Sequence, residues 1–301
     1  MKIVKRETAL GALFFLAAGS SAFAADMPLK ALPPAPVVAC SNDIIRSNSQ
    51  ISVDVVGTNL NYLERDLLGV PLDSEKGWIP GVQVTGSWMG CLGAFTNIYV
   101  MARGTYVDGH TDYWAGGGPV TSNVDGARIW NGDFRLGKGF DVAGNWMLTP
   151  YIGGGLQQWD RDLSNSKGPS GYHEAYKHDY VGGGLLVQVA AAPGLVISGN
   201  GLVGSTFDPR MTGTPNGGFP FPPWTFGLGT SVIYMAGLQA DYAITQNLHA
   251  NVGADFTHYD YGRSAVNPFG FLEPASRSSI WTIKAGLGWA FGPAAPLVAK
   301  Y

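Results

Sequence analysis

"SSIWTIKAGLGWAF", Ser278 to Phe291, decides the fold. Trp281, Ile283, Ala285, Leu287, Trp289 and Phe291 alternate with Thr282, Lys284, Gly286, Gly288 and Ala290. A period of two marks a strand with two unlike faces. Such a strand either lines a soluble core or turns its apolar face to lipid and Lys284 to a lumen. Trp281 and Trp289 are eight residues apart. At a rise of ~3.3 Å per residue and a tilt of about 40°, they project to roughly 20 Å along a barrel axis. That spacing suits two aromatic girdles flanking an apolar band.

Working outward, ten segments alternate in the same way, at about 51–62, 78–89, 95–107, 128–140, 146–158, 179–189, 196–207, 231–242, 248–259 and 280–291. Most are about 10–13 residues long. Globular strands peak near 5–6 residues, whereas a membrane-spanning strand needs about 9–11. Four short connections, Gly90–Gly93, Asp141–Asn145, Ala190–Gly194 and Ile244–Asn247, alternate with five long ones at about 65–77, 108–127, 159–178, 208–230 and 260–279. Tight turns at one end and long loops at the other are the layout of an outer-membrane barrel. The expected fold is all-β, a closed antiparallel transmembrane β-barrel of ten strands, with eight as the alternative. Both termini then lie on the periplasmic side.

The composition agrees. Only 14% of residues are charged and 43 of 301 are Gly, against about 25% and 7% in ordinary soluble domains. Residues 1–24 read as a cleaved signal peptide. Lys2, Lys5 and Arg6 precede an apolar run from Ala9 to Ala18, and Ala22-Phe23-Ala24 fits a small-x-small cleavage site. The formal net charge is −3, and loss of those three bases and Glu7 makes it −5, which argues against a nucleic-acid partner. The longest later apolar run, Val181 to Ile197, is broken as a helix by its Gly residues and Pro193. The expected organisation is signal peptide 1–24, Pro-rich periplasmic linker 25–49, barrel 50–291 and periplasmic tail 292–301. The expected location is the outer membrane of a Gram-negative envelope, with its lipid and lipopolysaccharide as partners.

Several residues are candidates for function. Arg103, Asp133, Arg135, Asp241, Asp255 and Lys284 fall on the inward face as a lumen polar network. It either plugs the barrel or lines a narrow solute path. Barrels near eight strands are filled by side chains and wide channels appear at about sixteen. Trp88, Trp130, Trp281 and Trp289 are the expected girdle. "GGFPFPPWTFG", Gly217 to Gly227, is expected to expose Phe219, Phe221 and Trp224, either as a rigid loop folded over the mouth or as an adhesive or ligand-contacting surface. Asp108, His110 and Asp112 are ordinary metal-ligand types, but a strand rim is normally polar, and no metal or cofactor is expected. The triplets Gly153–Gly155 and Gly182–Gly184 lack the Gly-Lys-Ser/Thr of a phosphate loop and sit inside strands. His258 and Asp260 lie near the outer rim, with His173 and His178 as further loop histidines. No motif supplies the oriented base and nucleophile that catalysis needs, so a non-enzymatic protein is expected. Cys40 and Cys91 both fall on the periplasmic side of an exported chain, where a disulfide is permitted. Two free thiols are the alternative.

Three stretches carry a family likeness: "ADMPLKALPPAP" (25–36), "LTPYIGGGLQQWD" (Leu148–Asp160) and "FGPAAPLVAKY" (Phe291–Tyr301). They resemble the opacity-like porin group of small Gram-negative outer-membrane barrels. That group is commonly eight-stranded, whereas the count here is ten, and Tyr301 lies beyond the last strand. The expected function is a structural, porin-like barrel with at most narrow small-solute passage. The alternatives are surface adhesion or host interaction through long extracellular loops, and a rim-located lipid or peptide hydrolase.

Overall fold

The computed structural model describes residues 40–115, 118–119, 125–164, 171–216 and 222–291. A short helix, α1 (Asp43–Ser47), precedes ten long strands: β1 (Gln50–Arg65), β2 (Pro71–Leu92), β3 (Phe95–Ala115), β4 (Asp125–Lys138), β5 (Trp146–Asp162), β6 (Tyr172–Ala192), β7 (Leu195–Pro215), β8 (Val232–Ala243), β9 (Leu248–Tyr261) and β10 (Ala275–Ala290). Each pairs antiparallel with the next. β10 pairs with β1, from Gln50↔Ala290 to Arg65↔Ala275, and closes the barrel. Three short strands sit beside this ring: Gly118–Pro119 on β3, Phe140–Ala143 on β5 and Trp224–Gly227 on β7.

The pleat sorts the residues as the alternation requires. On β10, Trp281 is 52% exposed and Trp289 is 61% exposed, while Lys284 is 7% exposed. On β1, Ile51, Val53 and Val55 face out and Ser52, Asp54, Val56 and Thr58 face in. An exposed apolar wall around a polar interior inverts the plan of a soluble barrel and suits lipid. Closure also leaves no unpaired backbone edge in hydrocarbon. Asn59 lies between Trp78 and Trp281, Phe256 pairs with Trp281, and Tyr106 pairs with Trp130. These aromatic residues, with Tyr106 opposite Val82 of β2, form the upper girdle. Trp289, Tyr242 and Trp146 mark the lower one. Trp88 is on the outer face of β2, half-buried, with its ring lying over Gly90. Gly93 (φ 60) and Gly194 (φ 74) supply the left-handed backbone that the β2–β3 and β6–β7 turns need.

Two expectations are corrected here. Four of the five connections expected as long loops are about half strand or more, β2 having 22 residues and β3, β6 and β7 having 21 each, while 262–274 between β9 and β10 remains a loop. The β1–β2 connection shrinks to residues 66–70. Above the girdle the hairpins continue as a collar. From Tyr106 to Ala115, β3 rises roughly 20 Å further along the axis. Residues 40–49 are also not an extended linker. Asn42 caps α1 by accepting from the Ile45 amide (2.8 Å). Ile44 and Ile45 pack among Met89, Tyr99, Met101, Met147, Tyr151 and Leu186 inside the periplasmic end. Asn48 donates to Gln188 (2.6 Å) across the lumen. Two apolar residues at the tip of a polar decapeptide have nowhere to bury except the barrel mouth. Cys40 and Cys91, 51 residues apart, are joined by a disulfide with Cα atoms 6.1 Å apart. The signal peptide, the rest of the linker and the tail 292–301 lie outside the described residues.

Candidate functional site

The lumen network is built from cross-strand neighbours. Arg103 and Asp133 are register partners on β3 and β4. Arg103 donates to Asp133 (2.7 Å) and to Asp255 on β9 (3.2 Å). Arg135 donates to Asp133 through Nη2 (2.8 Å) and Nε (3.2 Å), and to Asn200 (3.0 Å). Its guanidinium lies 5.0 Å from the Tyr151 ring. Lys284 donates to Asp255 (2.8 Å). Two carboxylates thus hold three cations. Asp54, which the sequence reading missed, lines the same level and accepts from Gln83 (3.3 Å). Asp241 does not join this layer. It lies 2.6 Å from Nδ1 of His249 and accepts from Gln50 (2.8 Å), bracing the periplasmic end instead.

Cavities flank the charged layer: one of about 40 Å³ above and one of about 90 Å³ below, with Arg103 and Asp255 lining both. They have room for a few waters. Above them Leu60, Tyr62, Ile79, Trp159, Tyr176 and Tyr259 pack into an apolar cluster. Below them sits α1. Described side chains thus occupy the lumen at three levels.

The collar holds a second cluster that sequence reasoning did not find. Arg161 on β5, 1% exposed, contacts Glu75 (2.8 Å), Glu174 (3.0 Å), Glu64 (3.5 Å) and Asp73 (4.0 Å). Its guanidinium lies 5.2 Å from the Tyr62 and Trp159 rings. Thr111 also donates to Glu75, and Tyr176 donates to Glu273 (2.5 Å). Burial pushes the Glu64 carboxyl up to about 8 and Glu75 up to about 7, against the pull of Arg161. Burial and neighbouring carboxylates push Glu273 well up. Arg161 keeps its proton, because the surrounding carboxylates outweigh its desolvation. The cluster therefore carries fewer negative charges at neutral pH than its carboxylates suggest.

At the mouth, Trp224 is not exposed as expected. Trp224 is half-buried, packs against the interior cluster and meets the Tyr172 ring edge-on at 5.5 Å. A half-open cavity of about 240 Å³ beside it is lined by Tyr172, Met211, Phe226, Phe271 and Glu273 among others. Phe219 and Phe221 lie outside the described residues.

The histidines separate. His178 is not on a loop; it is buried, with Nδ1 2.6 Å from the Tyr261 hydroxyl. His173 lies 3.4 Å from Asp162 on the outside of the collar. Asp108, His110 and Asp112 face outward on β3, and Asp108 accepts from Arg128 (3.2 Å) and Tyr106 (3.0 Å). His258 faces outward on β9, directly opposite Ser279 on β10. Its Nδ1 is 2.9 Å from the Ser279 hydroxyl, and its Nε2 is 3.9 Å from Asp260. The sequence reading named His258 and Asp260 but not Ser279, since only the β9–β10 register brings it there.

No protein family and no curated protein matches the chain. Solved structures do. The outer membrane protease OmpT from Escherichia coli aligns over 81% of this chain and 96% of its own, with 11% identity and a TM-score of 0.54. The translocator domain of the autotransporter NalP from Neisseria meningitidis covers 83% and 91%, with 11% identity and a TM-score of 0.37. The toluene transporter TodX from Pseudomonas putida covers 82% and 90%, with 10% identity and a TM-score of 0.37. At these identities the likeness is one of fold, carried by the first of the three. With its lipid-facing wall and ten-stranded closure, the chain is an outer-membrane β-barrel.

Proposed function

We propose that the protein is a structural outer-membrane barrel with a sealed lumen, a ten-stranded relative of the opacity-like porin group. The observation that carries this reading is the Arg103–Asp133–Asp255 layer closed between an aromatic plug above and α1 below. Ten strands lie near the size at which side chains fill a barrel. Small-solute passage is then at most residual, and the role calls for no catalytic step. The wall is held in outer-membrane lipid, and the collar stands among lipopolysaccharide. Planar-bilayer recording of the refolded protein tests this: a flat trace is expected, and resolved conductance steps would overturn it. A second reading, surface interaction through the collar, is favoured by the aromatic-lined mouth cavity. Deleting Gly217–Gly227 should then abolish binding to whole cells or matrix, with the barrel still folded.

A further inference from the structure

Five neighbouring strands place one row of outward side chains just above the upper girdle: Tyr234 of β8, His258 of β9, Ser279 of β10, Asn61 of β1 and Lys76 of β2. The row beneath holds Phe256, Trp281, Asn59 and Trp78. Interfacial Trp marks the headgroup level of a bilayer. Ser279 and His258, one outward position above Trp281 and Phe256 on the same strands, therefore lie where the acyl esters of membrane lipids meet water.

We propose that this row is an esterase site for membrane glycerolipids, with Ser279 as nucleophile and His258 as general base. The inference goes beyond the structural role and does not depend on the lumen being sealed. Ser279 Oγ and His258 Nδ1 are 2.9 Å apart, within reach for proton transfer. The imidazole is flanked by Phe256, whose ring is nearly parallel at 6.3 Å, and Asp260, which accepts from Arg277 (3.2 Å), lies 3.9 Å from its far nitrogen. Asn61 flanks Ser279 on the side away from His258 and is exposed. Its amide can donate to an oxyanion formed at the attacked carbonyl. Lys76, next in the row and also exposed, suits a lipid phosphate.

The wall below provides for the acyl chain. An apolar groove of about 600 Å³ runs over Gly199, Gly201, Ala236 and Ala254, between Leu185 and Leu238, and rises to Phe256 and Trp281. Those last two are the outward residues immediately membrane-side of His258 and Ser279 on the same strands. A chain lying in the groove brings its ester to the Ser279 hydroxyl without leaving the bilayer.

The steps balance. Ser279 Oγ attacks the ester carbonyl as His258 takes its proton. The tetrahedral intermediate collapses, breaking the acyl–oxygen bond, and the glycerol oxygen leaves with the proton from His258. Water at the interface, deprotonated by His258, then attacks the acyl-serine. Fatty acid departs and Ser279 recovers its proton. The net reaction is ester plus water to acid plus alcohol, with no redox change.

The test uses the full mature chain refolded into phospholipid–detergent mixed micelles. Fatty-acid release is followed by mass spectrometry, and a fluorophosphonate is used as a serine-directed probe. Labelling should map to Ser279 and vanish in Ser279→Ala and His258→Ala. Hydrolysis should fall at least ~10³-fold in either variant. Asn61→Ala should lower kcat about 10²-fold with KM little changed. All three side chains point away from the interior, and retained heat-modifiable migration on gels verifies folding. Absence of lipid hydrolysis by the unsubstituted protein, or unchanged hydrolysis in folded Ser279→Ala, overturns the proposal.

Discussion

Replacing Arg161 with Met should destabilise the collar in a pH-dependent way. The guanidinium is 1% exposed and sits 2.8 Å from Glu75, 3.0 Å from Glu174 and 3.5 Å from Glu64. Met fills much of the same volume but leaves buried carboxylates without their cation. Breaking a buried pair by removing one partner costs about 3–5 kcal/mol. The sign with pH follows from the carboxyls. Glu64 and Glu75 are raised from 4.5 to about 8 and about 7. A group that binds its proton more tightly when folded loses stability as pH rises from the unfolded value through the folded one. The intact collar should therefore weaken between roughly pH 4.5 and pH 8. Arg161 opposes that rise, so without it the carboxyls go higher and the loss deepens at alkaline pH. The expected cost is about 3–5 kcal/mol near pH 9, shrinking by half or more near pH 5, where the carboxyls are protonated. Urea unfolding in detergent, with hydrogen exchange read on β1, β2, β5 and β6, measures it. An equal loss at both pH values would refute the electrostatic account.

Arg135→Ala should cost about 3–5 kcal/mol, less if water reaches Asp133, because Asp133 and Asn200 lose a buried partner; raised conductance with unchanged unfolding would point to a channel instead. Cys40→Ser opens a loop of 51 residues and should remove about 4 kcal/mol by the chain-entropy model. Its readout is the unfolding midpoint of oxidised protein, and reductant should produce the same shift in the unsubstituted chain. Gly155→Ala drives a methyl into the Gly132 carbonyl and the Tyr180 ring, and should cost about 1–3 kcal/mol on the same denaturation curve.

The barrel could be read from the chain alone because its evidence is local. Period-two alternation, strand length and the contrast between Trp281 and Lys284 each need only one segment, and lipid outside with polar groups inside makes that contrast strong. Arg103, Asp133, Arg135 and Lys284 were visible as inward charges for the same reason. The collar was not. Above the girdle the outer face turns polar, with Lys76, Asp160 and Lys177, while the inner face mixes Glu64, Glu75, Arg161 and Glu174 with Tyr62, Trp159 and Tyr176. A strand without unlike faces reads as a loop. α1 was missed because five residues with two isoleucines show no helical period; the barrel mouth, not propensity, holds it. The Arg161 cluster gathers residues from β1, β2, β5 and β6. The Ser279–His258 pair joins residues 21 apart across a hairpin. Which residues meet across strands depends on register, which the pairing of whole strands sets and no single segment shows. A slip of one residue turns every side chain to the opposite face and leaves the alternation in the sequence unchanged.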